Sequence, residues 1–401
     1  MSSVANHSVV LPVSDAEEAV QVQTGGASVP WYVWLGVVAV TSSTIGDLWD
    51  VSWHRTIGRD TFWTPAHMAI YASGVLAGIV GIWMIVQCTF GRDRRLRDSS
   101  VSIFGLRAPF GVFVAGWGGL AMLTAGPFDN WWHNAYGLDV KIISPPHTLL
   151  LLGSRSVAIG IAFLVLAVMN RSAQKGDTSF RPLQTLFLYV GGLVVFGQMF
   201  FLQEIDWDVK LHQVLAYIVL SIAIPVLLAV LSQTSRFRWA ATVAAAIYMS
   251  FVIGEILILP LFPAQPKLGP VYFPVTHMIP GKFPILLIVP AFALDLIWQR
   301  AHSWKSWKIA LVSGFVFTAL LFAAEWPFAE FLMSPASANR FFGTADFAYF
   351  VRSTDFDRLR QFSHPDHGAI LWLGLLKAAV FASISTWIGM TFGRWMRGVQ
   401  R

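Results

Sequence analysis

Long apolar stretches separated by short polar segments dominate the hydrophobicity pattern of this chain. A transmembrane helix needs about 20 apolar residues, and ten stretches come close to that length. They cover about 31–50, 65–88, 108–128, 146–169, 182–203, 211–232, 239–262, 283–299, 308–327 and 369–392. The pattern predicts an all-α, polytopic integral membrane protein with about ten transmembrane helices arranged as helical hairpins.

Composition supports this prediction and excludes two classes of function. Of the 401 residues 55% are hydrophobic and 12% are charged, whereas soluble domains carry about 25% charged residues. The net charge of +6 does not indicate nucleic-acid binding, because the basic residues lie in short clusters between apolar stretches. The single cysteine, Cys88, excludes an internal disulfide and a cysteine-based metal cluster.

The distribution of Lys and Arg predicts the orientation in the cell membrane. Loops that follow even-numbered stretches carry more of them, including Arg92, Arg94, Arg95 and Arg97. By the positive-inside rule these loops are cytoplasmic, and so are both termini. We expect a polar tail over 1–29 and one transmembrane domain over 30–401. In this domain a hairpin repeat (31–170) precedes further helices (182–401), which include a long outer loop (328–368).

Histidines and acids gather at the predicted outer helix ends. Three of these ends share an Asp followed four residues later by a His, a spacing that places both side chains on one helix face. The three pairs are Asp50 and His54, Asp129 and His133, and Asp208 and His212. Ionisable residues at membrane depth are costly unless paired and indicate function.

The first two of these motifs belong to an internal repeat. Each continues with a Gly-x-Asp, a Thr/Ser-Pro pair and a second histidine; the matching residues are Gly58, Asp60, Thr64, Pro65 and His67, then Gly137, Asp139, Ser144, Pro145 and His147. Thr64 and Ser144 are typical helix N-caps followed by a first-turn proline. Each hairpin therefore presents one carboxylate and two imidazoles at its outer end.

Imidazole and carboxylate side chains are ligands for zinc, copper, iron and nickel. The predicted ligand sets are Asp50, His54 and His67, and Asp129, His133 and His147. Chemistry alone ranks copper and iron above zinc, since a redox metal explains two neighbouring sites. The alternative is that these residues only form hydrogen-bonded caps that close the helix ends.

The segment from Asp50 to His67 resembles the metal motif of the C subunit of the copper membrane monooxygenases, which oxidise methane, ammonia or short alkanes. That motif is Asp, three residues, His, twelve residues, His. The family's adjacent site, Asn, three residues, His, thirteen residues, His, is matched by Asp129, His133 and His147, with Asp in place of Asn. The resemblance covers about residues 31–170.

The resemblance implies copper as the cofactor and oxidation of a small apolar substrate with O₂. This chain has no large soluble copper-binding domain, which in that family belongs to the B subunit, so further membrane or soluble subunits are expected. Residues 200–401 match no subunit of the family. Rival hypotheses are a metal-binding, transport or assembly protein without catalysis, and a structural subunit with pH-sensitive histidines.

Other polar residues complete the candidate site. Asp60 and Asp139 either orient ligand imidazoles through their second nitrogen or form a turn after the glycine, and Asp47 is an alternative candidate to Asp50. We expect a polar network at Glu204, Asp208 and His212, and a pairing of Arg155 with Glu255 or Glu204. His277, His364 and His367 are further ligand candidates. Five tryptophans would make an apolar pocket beside the metal: Trp49, Trp53, Trp63, Trp131 and Trp132.

Overall fold

The computed structural model describes residues 28–58, 60–137, 144–205, 211–267, 274–281, 283–301, 303–343 and 365–401. Most of the expected polar tail lies outside these residues. Within them the protein is almost entirely helical. The helices are α1 (Trp31–Thr56), α2 (Pro65–Phe90), α3 (Arg94–Asp98), α4 (Phe110–Tyr136), α5 (Pro145–Lys175), α6 (Phe180–Ile205), α7 (Val214–Ser235), α8 (Ala240–Ile258), α9 (Ile288–Arg300), α10 (Ser306–Leu332) and α11 (Gly368–Met396).

Short elements complete the described architecture. Two strands, β1 (Val101–Ile103) and β2 (Leu106–Ala108), form an antiparallel hairpin between α3 and α4 in which Val101 pairs with Ala108. Single 3₁₀ turns follow α8 at Leu259–Leu261 and α10 at Pro335–Ser337.

Eight of the described helices are long and apolar enough to cross a membrane: α2, α4, α5, α6, α7, α8, α10 and α11. The all-α, polytopic prediction is therefore confirmed. The remaining two predicted stretches correspond to α1 and α9, and the count of ten stays a prediction. The eighth stretch differs most, because its helix begins at Ile288 rather than at 283 and has only 13 residues.

The helices that carry the candidate ligands extend beyond their apolar stretches. The first apolar stretch ends near residue 50, but α1 continues to Thr56; the third ends near 128, but α4 continues to Tyr136. The first two Asp-x₃-His motifs are therefore helical. Thr64 and Ser144 occupy the N-cap positions of α2 and α5, with proline in the first turn of each helix, as predicted.

The first four long helices pack tightly against one another. Helix α1 packs on α2, α4 packs on α5, and α2 packs on α4. Glycines make these approaches close: a Cβ added at Gly118 of α4 would lie 2.6 Å from the carbonyl oxygen of Gly153 in α5. One added at Gly119 would lie 2.8 Å from the carbonyl oxygen of Gly74 in α2. Small residues allow such backbone contact between membrane helices.

The second half of the chain is joined to the first through α6, which contacts α1, α5, α7 and α8. Here packing departs from sequence order, because α7 packs most extensively on α11 rather than on a sequence neighbour. One hydrophobic core runs through both halves. Between α8 and α9 the described residues 274–281 and 283–287 are not helical, although several of them are buried.

Candidate metal centres

The first centre, site one, consists of Asp50, His54, Asp60 and His67. Asp50 and His54 lie in the last turns of α1, and His67 lies in the first turn of α2. The His67 Nε2 atom is 3.3 Å from Asp50 Oδ1, and His54 Nε2 is 3.7 Å from Asp50 Oδ2. One ligand atom from each of the four residues lies within 4.8 Å of every other. This is a converging set of two imidazoles and two carboxylates.

Asp60 takes a different position from the expected one. Its carboxylate is 2.6 Å from His67 Nε2 and 3.4 Å from His54 Nε2, so it faces the same ring nitrogens as Asp50. In this position Asp60 is a candidate direct ligand and does not face the second nitrogen of either imidazole. Burial opposes ionisation of Asp60, but the hydrogen bonds and positive charge of His54 and His67 outweigh burial. They hold the pKa of this carboxyl well below its usual range.

A glycine turn brings Asp60 to this position. Helix α1 ends and the chain turns at Gly58, which has φ +103°, a conformation that favours glycine. Gly137, the matching residue in the second module, has φ +86° and follows the end of α4. The glycine of the Gly-x-Asp motif thus follows the end of α1 and of α4 in a backbone conformation that favours glycine.

The second centre, site two, consists of Asp129, His133 and His147. Asp129 and His133 lie near the end of α4, and His147 lies in the first turn of α5. The Asp129 carboxylate oxygens are each 3.4 Å from a histidine Nε2, one from His133 and one from His147. One ligand atom per residue again lies within 4.8 Å of the others. The matching Asp139 lies outside the described residues.

Both centres contain buried polar atoms that fit a metal ion. Asp50 Oδ1 and Asp129 Oδ1 are buried and have no hydrogen-bond partner among the described residues, although each faces an imidazole nitrogen. Burying such an atom without a partner is costly. A cation bound between the carboxylate and the imidazoles would satisfy both oxygens, and the nitrogen and oxygen donors suit copper, iron or zinc.

The two centres border one cavity of about 290 Å³. Asp60 and His67 line it from site one, and Asp129 and His133 line it from site two. The two hairpin ends therefore meet in the fold. The rest of the lining consists of Thr61, Phe62, Tyr71, Gly126, Asn130 and Asn134.

Phe62 and Tyr71 form the aromatic part of the cavity wall, a position expected for tryptophans. Their ring centroids are 5.2 Å apart, and Tyr71 lies 5.8 Å from the ring of His67. Trp63 and Trp131 are instead 75% and 54% exposed, as expected for residues at a membrane interface. Tyr71 follows His67 by four residues, and this spacing alone indicates that both side chains lie on the same helix face.

The third predicted cluster is only partly described. His212 is buried with its Nε2 3.0 Å from Glu330 of α10, and its ring packs against Trp326. The side chains of Glu204 and Asp208, and all of His364, lie outside the described residues. Asp366 accepts a hydrogen bond from the Val214 backbone N–H. Among the described residues, His212 therefore belongs to a local polar contact and not to a metal-type cluster.

The deeper charged residues lie apart from the ligand atoms of the two centres. The Arg155 guanidinium donates to the carbonyl of Val194 at 3.4 Å and lies 6.0 Å from the Phe201 ring centroid. Asp47 is electrostatically coupled to Arg155. Glu255 accepts a hydrogen bond from the Gly281 backbone N–H. The pairing of Arg155 with Glu255 or Glu204 stays a prediction.

Two remaining histidines contribute no described ligand atom to these centres. His277 lies in an isolated backbone bridge with Pro263, and its Nδ1 is 3.3 Å from the Thr276 hydroxyl. His367 is the N-cap residue of α11. Neither is in a metal-type cluster of the described residues.

Comparison of the chain with protein-family models, with curated proteins and with solved structures gives no match. The function must therefore be argued from the site.

Proposed function

We propose that the protein binds two metal ions, copper in preference to iron or zinc, and oxidises a small apolar molecule with O₂ at the cavity between them. The observation that carries this proposal is the convergence of two histidine–carboxylate clusters on one cavity. The spacing shared with the copper membrane monooxygenases supports the choice of copper.

The two centres differ in charge and in number of ligands. Site one offers two carboxylates and two imidazoles, which neutralise a divalent ion, whereas site two offers one carboxylate and two imidazoles. Site one should therefore hold a divalent ion more tightly. Site two leaves more coordination positions open, and open positions are typical of catalytic metal sites.

The proposed substrate of this cavity is small and apolar. Its volume of about 290 Å³ is at the lower end of the range for ligand pockets, roughly 300–1,000 Å³. Phe62 and Tyr71 would contact the substrate and exclude water, while Asn130 and Asn134 provide hydrogen-bonding groups at the wall. The bound metal supplies the oxygen chemistry, and the protein holds the ligands and the substrate in a fixed geometry.

The buried carboxylates outside the two centres accept backbone hydrogen bonds within the described structure. Glu255 accepts from the Gly281 N–H, Glu325 accepts from the Leu286 N–H, and Asp295 accepts from the Ala241 and Thr242 N–H groups. Each of these carboxylates thus satisfies backbone donors.

We also propose ten membrane spans, with both termini in the cytoplasm and the metal centres facing outward. Protease access to terminal tags in sealed vesicles tests this topology.

Metal analysis of the purified protein, followed by electron paramagnetic resonance after copper loading, tests the proposed function. We expect two ions per chain and a copper(II) spectrum with nitrogen coupling from imidazole. Product formation from short alkanes in the presence of a reductant and O₂ then separates catalysis from metal binding alone. If no metal is bound, the proposed function fails, and the histidines and aspartates only form ion pairs that close the helix ends.

Replacing Asp129 with asparagine should weaken metal binding at site two. The substitution keeps the shape but removes a full negative charge, a loss of about 1–3 kcal/mol for a charge-assisted interaction. Asp50→Asn is the matched control, because site one retains the carboxylate of Asp60 and should lose less affinity. Competitive chelator titration of each variant measures the difference. Equal affinity of the Asp129→Asn variant and the parent would show that the negative charge of Asp129 does not contribute to metal binding at site two.

A further inference from the structure

The non-helical segment between α8 and α9 lies against the end of α1 that carries site one. This segment, residues 278–281 and 283–287, is called the clamp segment below. Its residues Met278, Ile279, Ile285 and Leu287 are at most 5% exposed. Non-helical backbone at membrane depth is tolerated where the surrounding protein satisfies its hydrogen bonds.

Two hydroxyl groups of α1 bind the backbone of Ile279 in the clamp segment. The Ser52 hydroxyl donates to the Ile279 carbonyl, and the Ile279 N–H donates to the Thr56 hydroxyl at 2.9 Å. Both α1 residues are fully buried. Arg55 adds a longer contact of 3.5 Å to the carbonyl of Pro280. The last two turns of α1 are therefore fixed to a segment more than 220 residues further along the chain.

The bonded face of α1 is opposite its metal-binding face. Ser52 and Thr56 each follow a ligand, Asp50 and His54, by two residues. With 3.6 residues per turn, two residues correspond to a rotation of about 200°. The ligands therefore point toward site one while the hydroxyls on the other side hold the helix in place.

Side chains of three further helices hold the clamp segment itself. Glu255 of α8 accepts from the Gly281 N–H, and Glu325 of α10 accepts from the Leu286 N–H. The Tyr248 hydroxyl of α8 accepts from the Ile285 N–H at 2.9 Å, and Gln203 of α6 donates to the Phe283 carbonyl at 3.1 Å. The position of the segment is thus determined by the second half of the protein.

Gly281 allows the segment to approach α1 closely. A Cβ at this position would lie 2.7 Å from Cγ1 of Val51, the residue after Asp50, and 3.0 Å from Oε1 of Glu255. Any larger residue would push the segment away from α1.

From these contacts we infer that the clamp segment positions the ligands of site one, with Ser52 and Thr56 as positioning residues. This inference rests on the proposed function, since it assigns a role toward the metal at site one. It also gives residues 200–401 a role, because they supply the segment and the side chains that hold it. Among the described residues, the hydrogen bonds of the segment to the ligand helices go to α1, so we expect it to act on site one more than on site two.

Substitution of Thr56 tests this role in a protein that retains only site one, made by His133→Ala and His147→Ala. Thr56→Val keeps the side-chain shape but removes the acceptor of the Ile279 N–H. We expect the copper(II) affinity of site one to fall about ten-fold, as for outer partners of metal ligands, with a changed paramagnetic resonance spectrum. Thr56→Ser retains the hydroxyl and should restore both.

Asp295→Asn is the matched control, because Asp295 also accepts backbone N–H groups but at the opposite end of α8. It should lower thermal stability and leave copper affinity unchanged. Copper affinity of Thr56→Val within two-fold of the parent would overturn the positioning role.

A metal-independent measurement separates this inference from the proposed function. In metal-free protein, amide hydrogen exchange over residues 50–57 should be faster in Thr56→Val than in Thr56→Ser. If the parent binds no copper, the proposed function fails while faster exchange still supports the restraint on α1. Unchanged exchange would overturn the clamp whatever the metal content.

Discussion

Replacing both His67 and His147 with alanine should leave the protein folded and almost free of metal. Each substitution removes a candidate ligand from one centre. The metal affinity of that centre should fall at least about 100-fold, because the loss of a residue that only hydrogen-bonds to a metal ligand already costs about 10–100-fold. Both helices should persist: Ser144 accepts from the backbone N–H of His147, which alanine retains, and Pro65 still starts α2. Metal content and circular dichroism of the single and double variants measure the result.

His212→Ala is the control for this experiment. Like His67 and His147, His212 lies beside a carboxylate, that of Glu330, but it lies in neither centre. Its loss should lower stability and leave both metals bound. Full metal occupancy in the His67→Ala/His147→Ala protein would instead assign these residues to hydrogen-bonded caps.

Replacing Gly118 and Gly153 with alanine should separate α4 from α5 and disrupt site two. Each added Cβ would lie within 3.0 Å of backbone atoms of the facing helix, so the helices must move apart. Overpacking of this kind costs about 1–3 kcal/mol per site, sometimes more. His147 would move away from Asp129 and His133, and site two should lose its ion while site one keeps it. Metal stoichiometry and thermal unfolding report both effects.

Gly78→Ala supplies the comparison. Gly78 is also a mid-helix glycine, but a Cβ there would meet no atom within 4 Å. Alanine has the higher helix propensity, so this variant should be as stable as the parent or more so. A similar loss of stability in Gly78→Ala and Gly118→Ala would show that the α4–α5 contact is not what matters.

The two clusters of candidate ligands could be recognised in the sequence because each is built mainly from local sequence. Asp50 and His54 share a helix face by their spacing, and Thr64 with Pro65 marks the helix start that places His67. Neighbouring residues determine these features, so a single sequence reveals them. The same holds for the apolar stretches, which predict the helices from their own composition.

Features that depend on distant residues could not be predicted. The place of Asp60 depends on the turn at Gly58 and on how α1 and α2 meet. The late start of α9 depends on Glu255 and Glu325, which stabilise the preceding residues in a non-helical form. The apolar run from 283 has the composition of a helix. The side chains that accept its backbone N–H groups lie on distant residues, so the run itself does not reveal them.

The distance along the chain between α1 and the clamp segment sets an order of assembly. Asp50 and His67 leave the ribosome almost together, whereas Ser52 waits for Ile279, 227 residues later. At about 5–20 residues per second, that interval is roughly 10–45 seconds. If the proposed function is correct, a nascent first hairpin would present its four candidate ligands before the restraint on α1 exists. Metal captured in this interval would meet a pliable site, and completion of the chain would then fix the geometry around it.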